Sequence, residues 1–355
     1  MKKTTIIIFI IAAVLGGFVG YLITAYAPED QLVIYLIIVC LTLYLSNLLS
    51  IIIHESGHLV MGLLTGYQFI SFRIGKQILL KQDGHFKIKK YNLAGTKGQC
   101  LLMPPNYSEN LPYFWYNFGG GLFNLLAAII AFGLSFCFKD NLIIYLFMAI
   151  NLFVALTNLI PLKLTVPNDG YNLYMLSKDK SCRYGLYSQM KIYALSVQHQ
   201  RHQDMDPSLF ELPKDADLNN PLNQSILVNQ VSLLHDLHKF PEAKLLIEQI
   251  NQECQLMELY KNELDCEYLF YCLYEDPHDP NINQLYQDLF KFIKITSKTS
   301  LERQRLLYAF EFLVNHDQSK AQKHLEVFEK IAKNYPFDPI ITCEREIITL
   351  IQNKI

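Results

Sequence analysis

Residues His54-Glu55-Ser56-Gly57-His58 spell H-E-x-x-H. On a helix, positions i and i+4 share one face, so two imidazoles there can take two corners of a tetrahedral zinc site. The glutamate beside the first histidine can serve as base toward a water on the metal. The string sits inside an apolar run from Gln31 to about residue 66, with Leu48-Leu49-Ser50-Ile51-Ile52-Ile53 before it and Leu59-Val60-Met61 after it. Ionisable side chains at bilayer depth are costly and point to function. On a soluble surface helix, two histidines that merely share a face would be an equal reading; in this apolar setting a metal site is expected.

H-E-x-x-H supplies two ligands and needs a third. Near the end of the fourth apolar run the chain reads Asn158-Leu159-Ile160-Pro161, then Pro167-Asn168-Asp169-Gly170. An aspartate before glycine, where prolines break a membrane helix, suits a carboxylate ligand. Taken alone, these residue types equally describe a helix-exit turn.

Together the two features resemble the site-2 protease family of intramembrane zinc metalloproteases, over roughly residues 31–176. The resemblance implies that His54, His58 and Asp169 hold Zn2+ and that Glu55 is the catalytic base. Phe118-Gly119-Gly120-Gly121-Leu122-Phe123-Asn124 matches the family's glycine-rich approach to an asparagine on a second core helix. Asn124 and Asn158 are then expected to polarise the scissile carbonyl or hold the substrate strand; the alternative for Asn124 is a helix-packing hydrogen bond. Asn168 stands where the family has leucine, and the interval from Asn158 to Asp169 is a few residues longer than the family's.

Four runs are long enough to span a bilayer: about 4–27, 31–66, 113–138 and 142–163. The first, behind Lys2 and Lys3, exceeds a signal-peptide core, and Pro28 should hinder cleavage, so an uncleaved helix is expected. Lysines and Arg73 crowd the loop 67–112, whereas Pro28-Glu29-Asp30 has no base. The positive-inside rule therefore puts the amino terminus, this loop and the carboxy-terminal half in the cytoplasm. Within the loop, apolar stretches flank the turn Gln82-Asp83-Gly84, predicting a small β-hairpin that dips against the membrane face, with His85 exposed.

The net charge of −2 gives no basic footprint for nucleic acid. Eight scattered cysteines with no C-x-x-C pair argue against a disulfide framework and for a reducing compartment around the soluble half. Residues 198–220 read as a linker, and His199, His202, His235 and His238 as solvated polar residues. From about 221 helical patterning dominates. Phe240–Glu248 resembles the second helix of a tetratricopeptide hairpin, starts near Asp279-Pro280 and His316-Asp317 recur at repeat-like spacing, and 337–355 reads as a capping helix.

The expected fold is mainly α: a polytopic helical membrane protein of about four spans with the small β-hairpin after the second, plus a cytoplasmic all-α, TPR-like helical-repeat domain. Its divisions are an extra N-terminal transmembrane helix (1–30), a metalloprotease core (31–176), a connecting segment (177–220) and the repeat domain (221–355). The expected function is a zinc-dependent intramembrane endopeptidase in a bacterial plasma membrane. Its substrates would be transmembrane segments, signal-peptide remnants or peptide precursors, and its helical domain would bind a protein partner. The alternatives are a catalytically idle membrane-anchored scaffold and a metal transporter.

Overall fold

The computed structural model describes residues 3–26, 29–91, 96–164 and 166–354. Lys2, Ala27 and Pro28, on which the reading of the first run partly rests, lie outside them. The chain divides into two compact units: residues 1–69 with 97–178, and residues 70–96 with 179–355.

The first unit is built on helices α1 (Lys3–Tyr26), α2 (Leu32–Leu64), α3 (Tyr113–Cys137) and α4 (Leu142–Leu159). All four are long and apolar enough to cross a bilayer, which points to membrane association. At 33 residues, α2 extends about 50 Å, longer than a hydrocarbon core. Asn141 caps α4 by accepting hydrogen bonds from the Ile143 and Ile144 amides. That helix stops at Leu159, short of the predicted end, because Pro161 cannot continue the hydrogen-bond ladder. The short helix α5 (Asp169–Lys178) follows the break.

Helices α2, α3 and α4 pack on one another, and α1 joins them at one patch, where Leu22 is buried with Val39, Leu142 and Leu146. Ring stacking of Tyr26 on Tyr145 closes that patch. The α2–α3 crossing is very close: a Cβ on Gly57 would lie 2.2 Å from the Gly119 carbonyl oxygen. Strand β1 begins at the boundary of the two units (Gln68–Ile74), and β4 (Gly98–Met103) lies in the first unit against α2.

In the second unit, β1, β2 (Gln77–Gln82) and β3 (His85–Lys90) form an antiparallel meander rather than a lone hairpin. Ser71 pairs with Leu80, and Leu79 with Ile88. The meander is fastened to helices of its own unit, since the Gln82 amide donates to the carbonyls of Val197 and Pro336. His85 is exposed, as expected.

The remaining helices belong to the second unit. They are α6 (Ser181–Val197), α7 (Pro221–Asp236), α8 (Phe240–Glu253), α9 (Glu258–Glu275), α10 (Ile282–Thr296), α11 (Leu301–Ala309, continuing as a π turn to Val314), α12 (Gln318–Ala332) and α13 (Asp338–Gln352) among the described residues, eight α-helices with the π turn as a ninth piece. Asn220, Ser300 and Asp317 cap α7, α11 and α12.

Two expectations need correction. The stretch 198–220, read as a linker, is structured: two 3-10 turns, His202–Asp204 and Pro207–Phe210, bury Met205, Leu209 and Phe210 beside Ile192 of α6. Polar residues misled there because they hydrogen-bond inward, as when Ser188 donates to the Leu209 carbonyl. His235 is not solvated. It is buried, hydrogen-bonded to the Tyr271 hydroxyl and paired with Glu344.

Candidate metal centre

The H-E-x-x-H string falls on the second half of α2, where one face presents both imidazoles. Their Nε2 atoms are 3.2 Å apart. Asp169, the first residue of α5, brings its Oδ2 to 3.1 Å from the Nε2 of His54 and 3.4 Å from that of His58. A tetrahedral ion with ligand bonds of about 2.0–2.2 Å sets its ligand atoms about 3.3–3.6 Å apart. The triangle is close to that size. Among the described residues it is the one His/Cys/Asp/Glu group arranged to hold a metal ion.

Each imidazole is oriented through its other nitrogen. Nδ1 of His58 lies 2.7 Å from the Tyr116 carbonyl oxygen, which can only accept, so this nitrogen carries the proton. Nδ1 of His54 lies 2.9 Å from Oδ1 of Asn124. Both Nε2 lone pairs then face each other and the Asp169 carboxylate. Oδ2 of Asp169 is buried and, among the described residues, outside hydrogen-bond geometry to any donor. Three inward lone pairs so close repel unless a cation sits among them, and outer hydrogen bonds of this kind typify metal-bound histidines.

Asn124 is fully buried, and its amide N–H groups donate to the carbonyl and hydroxyl of Ser50 and to Oδ1 of Asn151. Its bonds are those of a residue that fixes His54 and ties α2, α3 and α4 together. Asn158 sits in the last turn of α4, where its amide donates to the Val154 carbonyl. It does not join the ligand triangle.

Gly120 forms the wall behind the imidazoles: a Cβ there would lie 2.5 Å from Nε2 of His58 and 2.6 Å from Cε1 of His54. Glu55 is buried on the adjoining face of α2, against the start of β4. A Cβ on Gly98 would come within 2.5 Å of Oε1 of Glu55, so the strand passes directly over the carboxylate.

Asn168, beside Asp169, is held by four hydrogen bonds. Its amide donates to the carbonyls of Thr157 and Ile160, while its Oδ1 accepts from the amides of Leu162 and Tyr171. These bonds join the end of α4 to the start of α5 and present Asp169. Sequence reasoning missed this clamp, together with Ser50, Asn151 and the Tyr116 carbonyl. Ser50 and Asn151 did carry a signal, as polar residues within apolar helices. A backbone carbonyl carries none.

No protein-family model, curated protein or solved structure matches this chain.

Proposed function

We propose that this protein is a zinc-dependent intramembrane endopeptidase that cleaves transmembrane segments of membrane proteins, signal-peptide remnants or peptide precursors. The observation that carries the reading is the triangle of His54 Nε2, His58 Nε2 and Asp169 Oδ2, each imidazole anchored from behind, with Glu55 next in sequence to the first ligand. The resemblance of the H-E-x-x-H, glycine-rich and Asp-Gly segments to site-2 proteases supports the same reading.

In this proposal His54, His58 and Asp169 hold the ion. Zinc, when bound, would supply Lewis-acid polarisation of a peptide carbonyl and acidify water. Glu55 takes the proton of the attacking water and delivers it to the leaving amine. Asn124 keeps His54 in the tautomer that ligates, a positioning role. Asn158 donates one amide N–H to its own helix, which leaves its second N–H and its Oδ1 to offer to substrate.

A substrate helix hides its carbonyls in internal hydrogen bonds and must unwind before attack. The β4 backbone beside Glu55 is the natural place to receive the opened chain by strand addition. The lysine-rich loop supports, by the positive-inside rule, a topology with the His54–His58 end of α2, both termini and the helical unit on the cytoplasmic side of a bacterial plasma membrane. The helical unit then acts as a TPR-like module for a protein partner.

The test compares membrane-peptide fragments in cells producing wild type or Glu55→Gln, alongside zinc per purified chain. Wild type and Glu55→Gln should both retain zinc, His54→Ala should lose it, and fragments should fall about a hundredfold or more in both variants. An idle scaffold would show identical fragments in all three.

A further inference from the structure

The second unit contains a cavity of ≈420 Å3 that the proposed proteolysis does not use. It opens among α7, α9, α11 and α13. Val231, Leu264, Ile340, Tyr260 and Tyr271 make much of its wall apolar or aromatic. Arg303, in the first turn of α11, belongs to the same wall and is only 2% exposed.

Only one nitrogen of that guanidinium is engaged by carboxylates. Nη2 donates to Glu263 at 3.2 Å and to Glu267 at 2.8 Å. Nε and Nη1 are buried and, among the described residues, have no acceptor. A buried donor left unpaired carries its full desolvation cost, and more when the group is charged.

The geometry also says which acceptor fits. A guanidinium grips a carboxylate bidentately along Nε with Nη2 or along Nη1 with Nη2, and both edges include the nitrogen already taken. Four carboxyl groups reach the cavity, those of Glu263, Glu267, Glu302 and Glu344. They face two guanidinium groups and the His235 imidazole, so a further anion is unfavourable. An ammonium brings only donors and leaves Nε and Nη1 unsatisfied. A neutral carbonyl oxygen accepts from either nitrogen and adds no charge.

We propose that this cavity binds a neutral amide on an apolar or aromatic body, with the amide carbonyl accepting from Arg303 and the body against Leu264 and Tyr260. A volume of this size suits a compact ligand. The amide N–H groups can donate in turn to the surrounding carboxylates. A free small amide and one residue of a peptide chain share this chemistry.

Calorimetry on the full-length protein in detergent near neutral pH, with protein-free micelles as the blank, tests the proposal. The probes are 3-phenylpropanamide, its anionic and cationic counterparts 3-phenylpropanoate and 3-phenylpropylamine, and N-acetylphenylalanine N-methylamide. The amide should bind about tenfold or more tighter than either charged counterpart. Arg303→Met should erase that preference. Glu267 keeps Arg305 in this variant and the Glu263 side chain is 40% accessible, so neither carboxylate is stranded, and melting temperature reports whether the fold survives. Thr299→Phe fills the cavity from another part of its wall and should abolish binding of every probe. Should Arg303→Met not fold, the wild-type ranking and Thr299→Phe decide the matter. If N-acetylphenylalanine N-methylamide outbinds 3-phenylpropanamide, the site takes peptide residues; the reverse order assigns it to free amides. A wild type that binds no probe or prefers a charged one, or wild-type affinity for the amide in either folded variant, overturns the proposal.

Discussion

Gly57 on α2 and Gly119 on α3 face each other so closely that a Cβ on either would penetrate the other's backbone, 2.2 Å from the Gly119 carbonyl oxygen in one direction and 2.4 Å from that of Gly57 in the other. Backbone cannot yield as a flexible side chain does. Gly57→Ala or Gly119→Ala should therefore push the helices apart and destabilise the first unit by about 1–3 kcal/mol, as overpacking does. Thermal melting in detergent reads this directly, and an unchanged midpoint in both variants would show that the helices have room to spare.

Gly120→Ala should behave differently. Its methyl would strike the ends of two side chains, both belonging to the ligand triangle, so the imidazoles should swing and the packing survive. Metal affinity should drop about tenfold or more with little change in the melting of the metal-free protein. Equilibrium dialysis against a competing chelator measures the first quantity, and wild-type affinity would refute the placement of Gly120.

Asn124→Leu removes the acceptor behind His54 while filling similar volume. Metal affinity or turnover should fall about tenfold to a hundredfold. Asn124→Asp restores an acceptor for Nδ1 and should recover part of that loss, although it no longer donates to Ser50 and Asn151. A role in helix packing alone predicts the opposite order, with leucine the milder change.

Glu302 makes the second unit pH-sensitive. Burial, and then repulsion from Glu344, push its carboxyl up to about 7, against the Ser300 hydroxyl that donates to it. Between the ordinary value of 4.5 and about 7 the folded state holds a proton that the unfolded chain has lost, so this contribution is complete at low pH and disappears as pH rises. Glu344 runs the other way. Burial opposes its ionisation, but Arg305 and His235 hold it down to about 2, so its stabilisation fades only under stronger acid. Relative to Glu302→Gln, wild type should lose about 1–3 kcal/mol between mildly acidic and mildly basic pH. A pH-independent gap between the two melting curves would remove the claim.

Arg305 is fully buried, joined to Glu267 at 2.5 Å and to Glu344 at 2.7 Å, and stacked 3.9 Å over the Phe270 ring. Arg305→Ala removes the guanidinium shared by two interior carboxylates, leaving Glu267 to Arg303 and Glu344 to His235, and should cost about 3–5 kcal/mol. Arg305→Lys should rescue little, because one ammonium cannot reproduce the planar fork and the ring stacking. Chemical denaturation of the second unit is the measurement.

The two imidazoles and Glu55 were legible because a helical repeat and an apolar background isolate them. The four long helices were legible by length and hydropathy, and Asp169 by the proline and glycine punctuation around it. Long-range hydrogen bonding was the hidden part. Nothing local distinguishes the Tyr116 carbonyl, and Asn168 looked like a deviation until its four partners were seen. His235 and the 198–220 stretch misled because a polar residue satisfied in the interior has the same letter as one in water. The meander's attachment to its helical unit rests on Gln82, whose partners lie more than a hundred residues downstream.

The Asn168 clamp has a temporal side. The histidine arm of the cage is synthesised early, while the carboxylate emerges only after α4 has been made and its exit tied off. A ribosome-bound chain that stops before residue 169 carries the two imidazoles and Glu55 but not the carboxylate that completes the triangle. On the proposed function, hydrolytic competence would thereby be deferred until the last apolar helix is made, and the growing chain would remain an unarmed precursor until then.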